Sequence, residues 1–330
     1  AASRQGTNLR CFINGALIAT HTDSTDIQNS GVYYVAKRVD TTADNANSQL
    51  DDIRISNSAR YTSAFTKPSD RFTSDANTKL LIQSDFTDGG LGADHSGNYN
   101  LFTPTNLGTE DMVEDSPTNN FCTLNGVDTD SGMVLSEGNL QGTNTGSAQW
   151  EQAGSTFIVP KTGKWYWESC IKQDKAHLML FFDRSSEASN GDEVANLYVW
   201  DFQTSSSNIR YNTTAVATSD VAQGDIASVS VTDGVVKFYK NNVLAHTFTQ
   251  NMSLDSKDYV VGLSAHSTSS GGQVCLNFGQ DSSFAGYKTA QGNQDANGKG
   301  DFYYSPPADH LALCTDNLDD PAIALSTDYF

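Results

Sequence analysis

Carboxylates and histidines are the side chains of this sequence that could catalyse a reaction. Glycoside hydrolysis needs two carboxylates roughly 5 to 9 Å apart across one glycosidic bond. Glu168 follows Trp167 in a strand-like run, and no second acid stands two or four positions away. Gly-x-Ser-x-Gly and His-Glu-x-x-His motifs are absent and the histidines are isolated. A Ser-His-Asp triad stays open, because its members need not be neighbours in sequence. We interpret the chain as non-enzymatic.

One pair of adjacent acidic residues, Asp51 and Asp52, is a candidate metal site. Carboxylate oxygens are the ligands that Ca²⁺ prefers, so the pair could hold this ion. A solvated carboxylate pair near Arg54 and Arg60 explains the same residues equally well. The stretch 128–132 begins like a calcium loop but lacks the third ligand and the closing Glu, so we interpret it as a turn.

The five cysteines are widely spaced, odd in number and form no Cys-x-x-Cys pair. This pattern argues against a disulfide framework and against a zinc knuckle. Most of them lie in apolar, strand-like runs, as Cys11 does in Leu9–Ile13, where a thiol acts as a small buried hydrophobe. We expect free, buried thiols and a fold that survives reducing agent.

Composition excludes several classes of protein. The 330 residues include 20 Lys+Arg against 39 Asp+Glu, a formal net charge of −19, which argues against a nucleic-acid partner. A hydrophobic fraction of 37% is enough for globular cores, and the length suits about two domains. No apolar run approaches the roughly 20 residues that cross a bilayer, so membrane insertion is not expected. The first residue is Ala rather than Met, and we expect processing or a longer parent chain.

The charge is divided unevenly along the chain. Residues 1–108 carry 9 basic and 11 acidic side chains, whereas residues 109–330 carry 11 and 28, a net charge of −17. Glycine-rich and acidic stretches mark a change of character between the two parts. We predict a first domain over 1–87, a linker over 88–114 and a second domain over 115–330. Any polyanionic partner of the acidic part would need bridging cations or uncharged contacts.

Short runs of alternating apolar residues, separated by Gly, Asn, Asp and Ser, predict an all-β protein with antiparallel sheets. Asn14-Gly15 and Asp233-Gly234 each stand between two apolar arms, as a type I′ hairpin turn requires. The second of these hairpins continues through Asn241-Asn242, which predicts a three-stranded meander.

Residues 6–86 resemble the C-terminal half of a laminin-G-like, concanavalin A-type jelly roll. The resemblance rests on Gly6–Gly15, Leu50–Ser56, Ala59–Tyr61 and Leu80–Gln83, a combination frequent in bacteriophage structural proteins. A complete jelly roll would need further strands before Ala1. Either another segment supplies these strands, or the first sandwich is incomplete.

Residues 115–330 resemble a SPRY domain of the phage type. The resemblance rests on landmarks in the family's order: Ser116–Asn125, Leu135–Leu140, Gly163–Glu168, Gly224–Ile226, Val236–Asn242, Val274–Gln280 and Leu311–Leu318. It implies a second concanavalin A-like β-sandwich, for which we predict the core residues Trp165, Trp167, Phe181, Phe238 and Phe278. The polar run 289–300 is expected to be a surface loop.

SPRY domains are binding modules, and the resemblance implies a recognition surface at one end of the sandwich. The loop in which peptide-binding members carry a Trp here begins Ala265-His266-Ser267, so that peptide pocket is not reproduced. Aromatic rings beside Arg suit sugar or peptide contacts. The predicted ligand-binding residues are Trp150, Tyr198, Trp200, Arg210, Tyr211, His266 and Ser267.

These resemblances imply a virion structural protein, a tail fibre or other surface appendage of a bacteriophage, with lectin-like domains for attachment. Its expected partners are other virion proteins and a host cell-surface glycan or protein, and its expected place is the surface of the particle. A homo-oligomer, with a trimer as one form, is implied by the resemblance alone, since no heptad run is present. An architectural protein without receptor binding and a polysaccharide depolymerase are the alternatives.

Overall fold

The structure is a computed structural model. It describes residues 1–25, 50–68, 71–84, 91–100, 102, 119–145, 150–173, 177–183, 198–202, 207–212, 214–266 and 273–319, without the side chains of 173, 177–183 and 266. The chain divides into two compact units, Ala1–Met112 and Val113–Phe330. Within the described ranges, no helix is long and apolar enough to cross a membrane.

The first unit contains two antiparallel sheets. A three-stranded sheet has the order β1 (Ala2–Gln5), β2 (Asn8–Ile13), β3 (Ala16–Thr22), and a two-stranded sheet pairs β4 (Ile53–Ser56) with β5 (Thr78–Ile82). Asn14 and Gly15 connect β2 to β3 with φ of 49° and 81°, which confirms the predicted hairpin turn. All seven residues of β3 are exposed.

Side-chain hydrogen bonds connect the loops and strands of the first unit. The Arg60 guanidinium donates to both oxygens of Asp75 at 2.7 and 2.6 Å and to the Ser56 hydroxyl at 2.8 Å. Asp94 accepts from the backbone N–H groups of Leu81, Ser96 and Asn100. The stretch 91–100, which we predicted to be part of a linker, is therefore tied to β5, because the Asp94 carboxylate satisfies backbone donors there.

The second unit is a sandwich of two large sheets. Its strands are β6 (Leu124–Thr129), β7 (Met133–Ser136), β8 (Gln141–Asn144), β9 (Trp150–Ile158), β10 (Lys164–Gln173), β11 (His177–Asp183), β12 (Tyr198–Phe202), β13 (Asn208–Tyr211), β14 (Thr214–Thr218), β15 (Ile226–Thr232), β16 (Val235–Lys240), β17 (Val243–Asn251), β18 (Tyr259–His266), β19 (Gln273–Asn277) and β20 (Leu311–Ala312). One turn of 3-10 helix spans Met252–Leu254.

One sheet has eight strands in the order β17-β16-β15-β10-β19-β8-β7, with β20 parallel to β10, and the other has seven in the order β14-β13-β12-β11-β18-β9-β6. All other pairings are antiparallel, and β15, β16 and β17 form the predicted meander. The all-β sandwich class predicted from the sequence is confirmed. The missing N-terminal strands of the first sandwich stay a prediction.

The main core is one cluster of buried side chains in the second unit, drawn from both of its sheets. It includes four of the five predicted core aromatics, Trp165, Trp167, Phe238 and Phe278. The fifth, Phe181, has its side chain outside the described part. Because side chains alternate along β10, Trp165 and Trp167 face this core, whereas Tyr166 and Glu168 lie on the opposite face of the eight-stranded sheet.

That opposite face is covered by the segment after β19. A second apolar cluster lies there, made of Phe121, Tyr166, Phe302, Ala312 and Cys314. Within the segment, the run 289–300 is mostly exposed, as expected for a surface loop. Asp295 is the exception, because it is buried and accepts from the Ala312 N–H at 2.9 Å and the Asn317 amide at 2.7 Å.

The cysteines are all free. Cys122, Cys170, Cys275 and Cys314 are buried, as predicted, but Cys11 is exposed. The expectation for Cys11 was wrong because its strand buries the opposite face, the one that carries Phe12.

Candidate functional site

The seven-stranded sheet carries a row of polar residues on the face turned away from the main core. Gln152 on β9 stands opposite Ser264 on β18, and Leu178 on β11 stands between Ser264 and Asp201 on β12, so the polar residues are interrupted by one apolar position. Directly opposed residues share one face of a sheet. Because neighbouring strands lie about 4.8 Å apart, the row extends about 14 Å from Gln152 to Asp201.

The local sequence of β12 explains how a carboxylate comes to lie in this row. The strand reads Tyr-Val-Trp-Asp-Phe, and all five residues are buried. Trp200 and Phe202 belong to the main core, and Trp200 stacks on Phe238 with ring centroids 5.5 Å apart and planes 6° apart. Asp201, between them, must therefore project from the other face.

Arg210 extends the row onto the next strand and balances the charge of Asp201. Its Nη2 lies 3.2 Å from Asp201 Oδ2, with 4% of the Asp201 side chain and 35% of the Arg210 side chain exposed. Burial of one partner makes this pair less screened than a surface ion pair. Arg210 Nε is buried and has no hydrogen-bond partner, so this donor of the guanidinium is unsatisfied. We call Gln152, Ser264, Asp201 and Arg210 the polar row.

Ser264 is a member of the polar row with an unsatisfied side chain. The residue is fully buried, and its hydroxyl has no hydrogen-bond partner. Buried hydroxyl groups are normally paired, because an unmade hydrogen bond costs free energy. The Ser264 hydroxyl and the Arg210 Nε–H are thus two buried and unsatisfied polar groups of the same face.

Trp150 starts β9 and lies at the far end of this face from Arg210. It is half-buried, and its backbone stands opposite His266 on β18, two residues beyond the Gln152–Ser264 pair. The structure thus brings the predicted site residues Trp150 and Arg210 onto the face of the polar row. The His266 side chain and the whole of Ser267 lie outside the described part.

Three predicted ligand-binding residues belong instead to the core side of the sheet. Tyr198 and Trp200 are buried and part of the main core, and Tyr211 packs on Tyr198 with ring centroids 5.2 Å apart. Burial raises the pKa values of both tyrosine hydroxyls. Tyr198 and Trp200 are therefore packing residues, and the prediction that they form a ligand surface was wrong. Because side chains alternate along β12, Asp201 lies on the opposite face of the sheet from Tyr198 and Trp200.

Sequence reasoning missed Asp201, Ser264 and Gln152. One signal was visible, since Asp201 is an ionisable residue in the middle of an apolar strand, and such a residue needs a charged partner. Ser264 and Gln152 carry no comparable signal, because serine and glutamine are common on solvated strands. Their position depends on the pairing of β18 with β9.

Glu168 is fully buried, the most buried acid among the residues that the structure describes, and its surroundings are those of a structural anchor. The carboxylate accepts from the Tyr303 and Tyr304 backbone N–H groups at 2.9 and 2.8 Å, from the Tyr166 hydroxyl at 3.0 Å and from the Asn277 amide at 3.2 Å. Burial raises its pKa to about 7, against the lowering effect of these four donors. A fully buried acid with four intramolecular partners has no oxygen free for a substrate.

The predicted calcium pair is engaged in protein contacts. The Asp52 carboxylate accepts from the Gln83 amide at 2.7 Å and from the Phe72 N–H at 3.1 Å, and Asp51 accepts from the Asp52 N–H at 2.7 Å. Over the described ranges, no three His, Cys, Asp or Glu side chains form a group that could hold a metal ion. The two aspartates organise their own loop, and calcium binding stays a prediction.

The chain matches no protein-family model and no curated protein sequence. Among solved structures, it is similar to the SPRY domain of human HERC1, with 16% identity and a TM-score of 0.39 over 46% of this chain and 96% of that one. It is similar to the TRIM65 PSpry domain, with 15% identity and a TM-score of 0.38 over 48% and 92%. A likeness to stonustoxin has 18% identity and a TM-score of 0.34 over 47% of this chain and 27% of that one.

Proposed function

We propose that this chain is a non-enzymatic recognition protein whose second unit binds a polar ligand along the polar row. The setting that we propose is the surface of a bacteriophage particle, in a tail fibre or similar appendage, where the ligand is a host cell-surface glycan or protein. The phage setting, the contacts with other virion proteins and a homo-oligomeric state rest on the resemblances in the sequence. The ligand-binding role has support from the site itself.

The observation that carries the proposal is the pairing of Arg210 with the buried Asp201, together with the unsatisfied Ser264 hydroxyl two strands away on the same face. An ion pair that is shielded from water offers an acceptor and donors in a fixed geometry, which suits hydroxyl and amide groups. Glycans and peptide backbones present such groups in extended arrays. The half-buried indole of Trp150 offers an apolar surface at the other end of the face, as sugar rings and peptide side chains use.

The test is binding of the fluorescently labelled chain to host-type bacteria and to a panel of bacterial surface glycans. Arg210→Gln is expected to lower the affinity for the ligand at least tenfold, because it removes the positive charge that pairs with Asp201 and the guanidinium donors. Lys164→Gln is the matched control, since Lys164 lies in the other sheet, is paired with Asp309 at the surface and loses the same charge.

Saturable binding that Arg210→Gln weakens and Lys164→Gln leaves intact would support the proposal. Absence of binding to cells and glycans, together with adhesion to virion proteins only, would favour the architectural alternative. Release of reducing sugar ends from a glycan would identify a depolymerase and contradict the non-enzymatic assignment.

A further inference from the structure

The first unit contains a second set of unsatisfied polar groups, independent of the polar row. Ser3 on β1 stands directly opposite Arg10 on β2, and Arg10 stands directly opposite Thr20 on β3. Directly opposed residues of neighbouring strands share a face and have Cβ atoms about 5 Å apart. A hydroxyl, a guanidinium and a second hydroxyl are thus aligned across the whole three-stranded sheet.

Two of these three residues have buried polar atoms without partners. Ser3 is 7% exposed and its hydroxyl makes no hydrogen bond. Arg10 is half-buried, and its Nη1 is buried without a hydrogen-bond partner. Within the residues that the structure describes, the Arg10 guanidinium has no ion pair. This is unusual, because a buried N–H donor is normally paired with an acceptor.

Other arginines of the unit show what a satisfied guanidinium looks like here. Arg4 donates to the carbonyl groups of Gly6, Asp23 and Thr25. Arg60 binds both oxygens of Asp75. Of the two arginines in this sheet, Arg10 is thus the one whose guanidinium has no acceptor among the described residues.

The surroundings of Arg10 favour a strong contact with an anion. Phe12, two residues further along β2, lies on the same face and is buried against Tyr61 and Phe65, with ring centroids 6.2 and 5.4 Å away. Apolar neighbours exclude water and strengthen a charge-assisted hydrogen bond. Thr20, at the other end of the row, is exposed, so a ligand can enter from solvent.

We propose that Ser3, Arg10 and Thr20 form a binding site for a carboxylate group. All three side chains can donate, and the planar guanidinium matches a carboxylate with two parallel hydrogen bonds. A carboxylate suits the row better than a phosphate, because one guanidinium neutralises a single negative charge, whereas a phosphate monoester carries about 1.5 to 2 near pH 7. Acidic sugars such as uronic acids present this group, and glucuronate serves as the probe.

The experiment measures glucuronate binding to the full chain by the chemical shift of the Arg10 Nε–H signal and by the rise in melting temperature. Glucose is the uncharged control ligand, and inorganic phosphate is the competing anion. Glucuronate is expected to move the Arg10 signal saturably, whereas glucose leaves it in place. Arg10→Met is expected to weaken glucuronate binding at least tenfold, and Thr20→Val at least threefold. The control is Lys79→Gln, which removes an exposed charge in the same unit and is expected to leave binding unchanged.

The melting temperature of the ligand-free protein distinguishes a ligand-binding Arg10 from an Arg10 that only stabilises the fold. If Arg10 is an unmatched charge kept for a ligand, Arg10→Met leaves the melting temperature unchanged or raises it. A marked fall would mean that Arg10 has a stabilising partner and would overturn the proposal. Tighter binding of phosphate than of glucuronate would overturn the carboxylate assignment. Failure of both anions to move the Arg10 signal would overturn the site. The polar row of the second unit is unaffected by each of these outcomes.

Discussion

Glu168 and Asn277 stand directly opposite each other on β10 and β19, and the Asn277 amide donates to the Glu168 carboxylate at 3.2 Å. Asn277 also donates to the Asp301 carbonyl at 2.9 Å. Together these two side chains connect the eight-stranded sheet to the segment that covers its outer face. The contact joins parts of the chain that are 109 positions apart in sequence.

Replacing Glu168 is expected to loosen this covering segment. Glu168→Ala leaves four donors without an acceptor in a buried place, and we expect the free energy of unfolding to fall by about 3 kcal/mol or more. Hydrogen exchange of the Tyr303 and Tyr304 amides measures the local effect. A variant with unchanged exchange at both amides would show that Glu168 does not hold the segment.

The stability of the second unit is expected to depend on the ionisation of Glu168. Its pKa is raised from 4.5 to about 7 by burial, so the folded state holds the proton more tightly than the unfolded state does. The contribution is complete below about pH 4.5 and is lost as the pH rises through 7, by up to about 3 kcal/mol. Urea unfolding between pH 5 and 8 measures this slope, and Glu168→Gln, which cannot ionise, should lack that part of it.

Variants of Trp200 test whether this residue contributes to packing or to ligand binding. Trp200→Ala removes a fully buried indole from the main core, and we expect a loss of about 3 to 5 kcal/mol in the free energy of unfolding. Trp200→Phe keeps most of the volume and should cost less while leaving ligand binding intact. Loss of binding in a stably folded Trp200→Phe variant would return Trp200 to the site.

The cysteines should differ sharply in reactivity. Burial raises the pKa of Cys122 to about 11 and that of Cys170 to about 12, and Cys275 and Cys314 are also buried with raised pKa values. Thiolate is the reactive form, so a thiol reagent should modify only Cys11 in the native chain and all five cysteines in denaturant. Dithiothreitol should leave the melting temperature unchanged, and a large fall would reveal a disulfide.

Gly15 is expected to tolerate no side chain. Its φ is +81°, and an added Cβ would collide with the Phe65 carbonyl oxygen. Gly6 is the matched control, because its φ is also positive, at +57°, but a Cβ there meets nothing within 4 Å. Gly15→Ala should therefore lower the free energy of unfolding by at least about 1 kcal/mol more than Gly6→Ala does. Equal losses would indicate that the collision is relieved by movement of the 60–68 stretch.

Much of the fold is visible in local sequence. The Asn14-Gly15 and Asp233-Gly234 turns need positive φ at both positions, so they mark hairpins wherever they stand between apolar arms. Alternating Trp165 and Trp167 mark a strand with one face in a core. Both signals depend on neighbours within a few residues, which is why they could be interpreted without the structure.

The sites depend on which strands become neighbours. Tyr198, Trp200 and Arg210 look alike in sequence as candidates for recognition. In the structure Tyr198 and Trp200 face the main core, and the pairing of β12 with β13 places Arg210 beside Asp201. In the same way, Ser3, Arg10 and Thr20 become a row only when three strands pair in one register. The sequence by itself determined the strand class, the turns and the acidity of the second unit, because these are local or additive properties. Only the tertiary structure decided which polar groups share a buried face, because cross-strand register brings residues that are distant in sequence onto one face, as it does for Gln152 and Ser264, which are 112 positions apart.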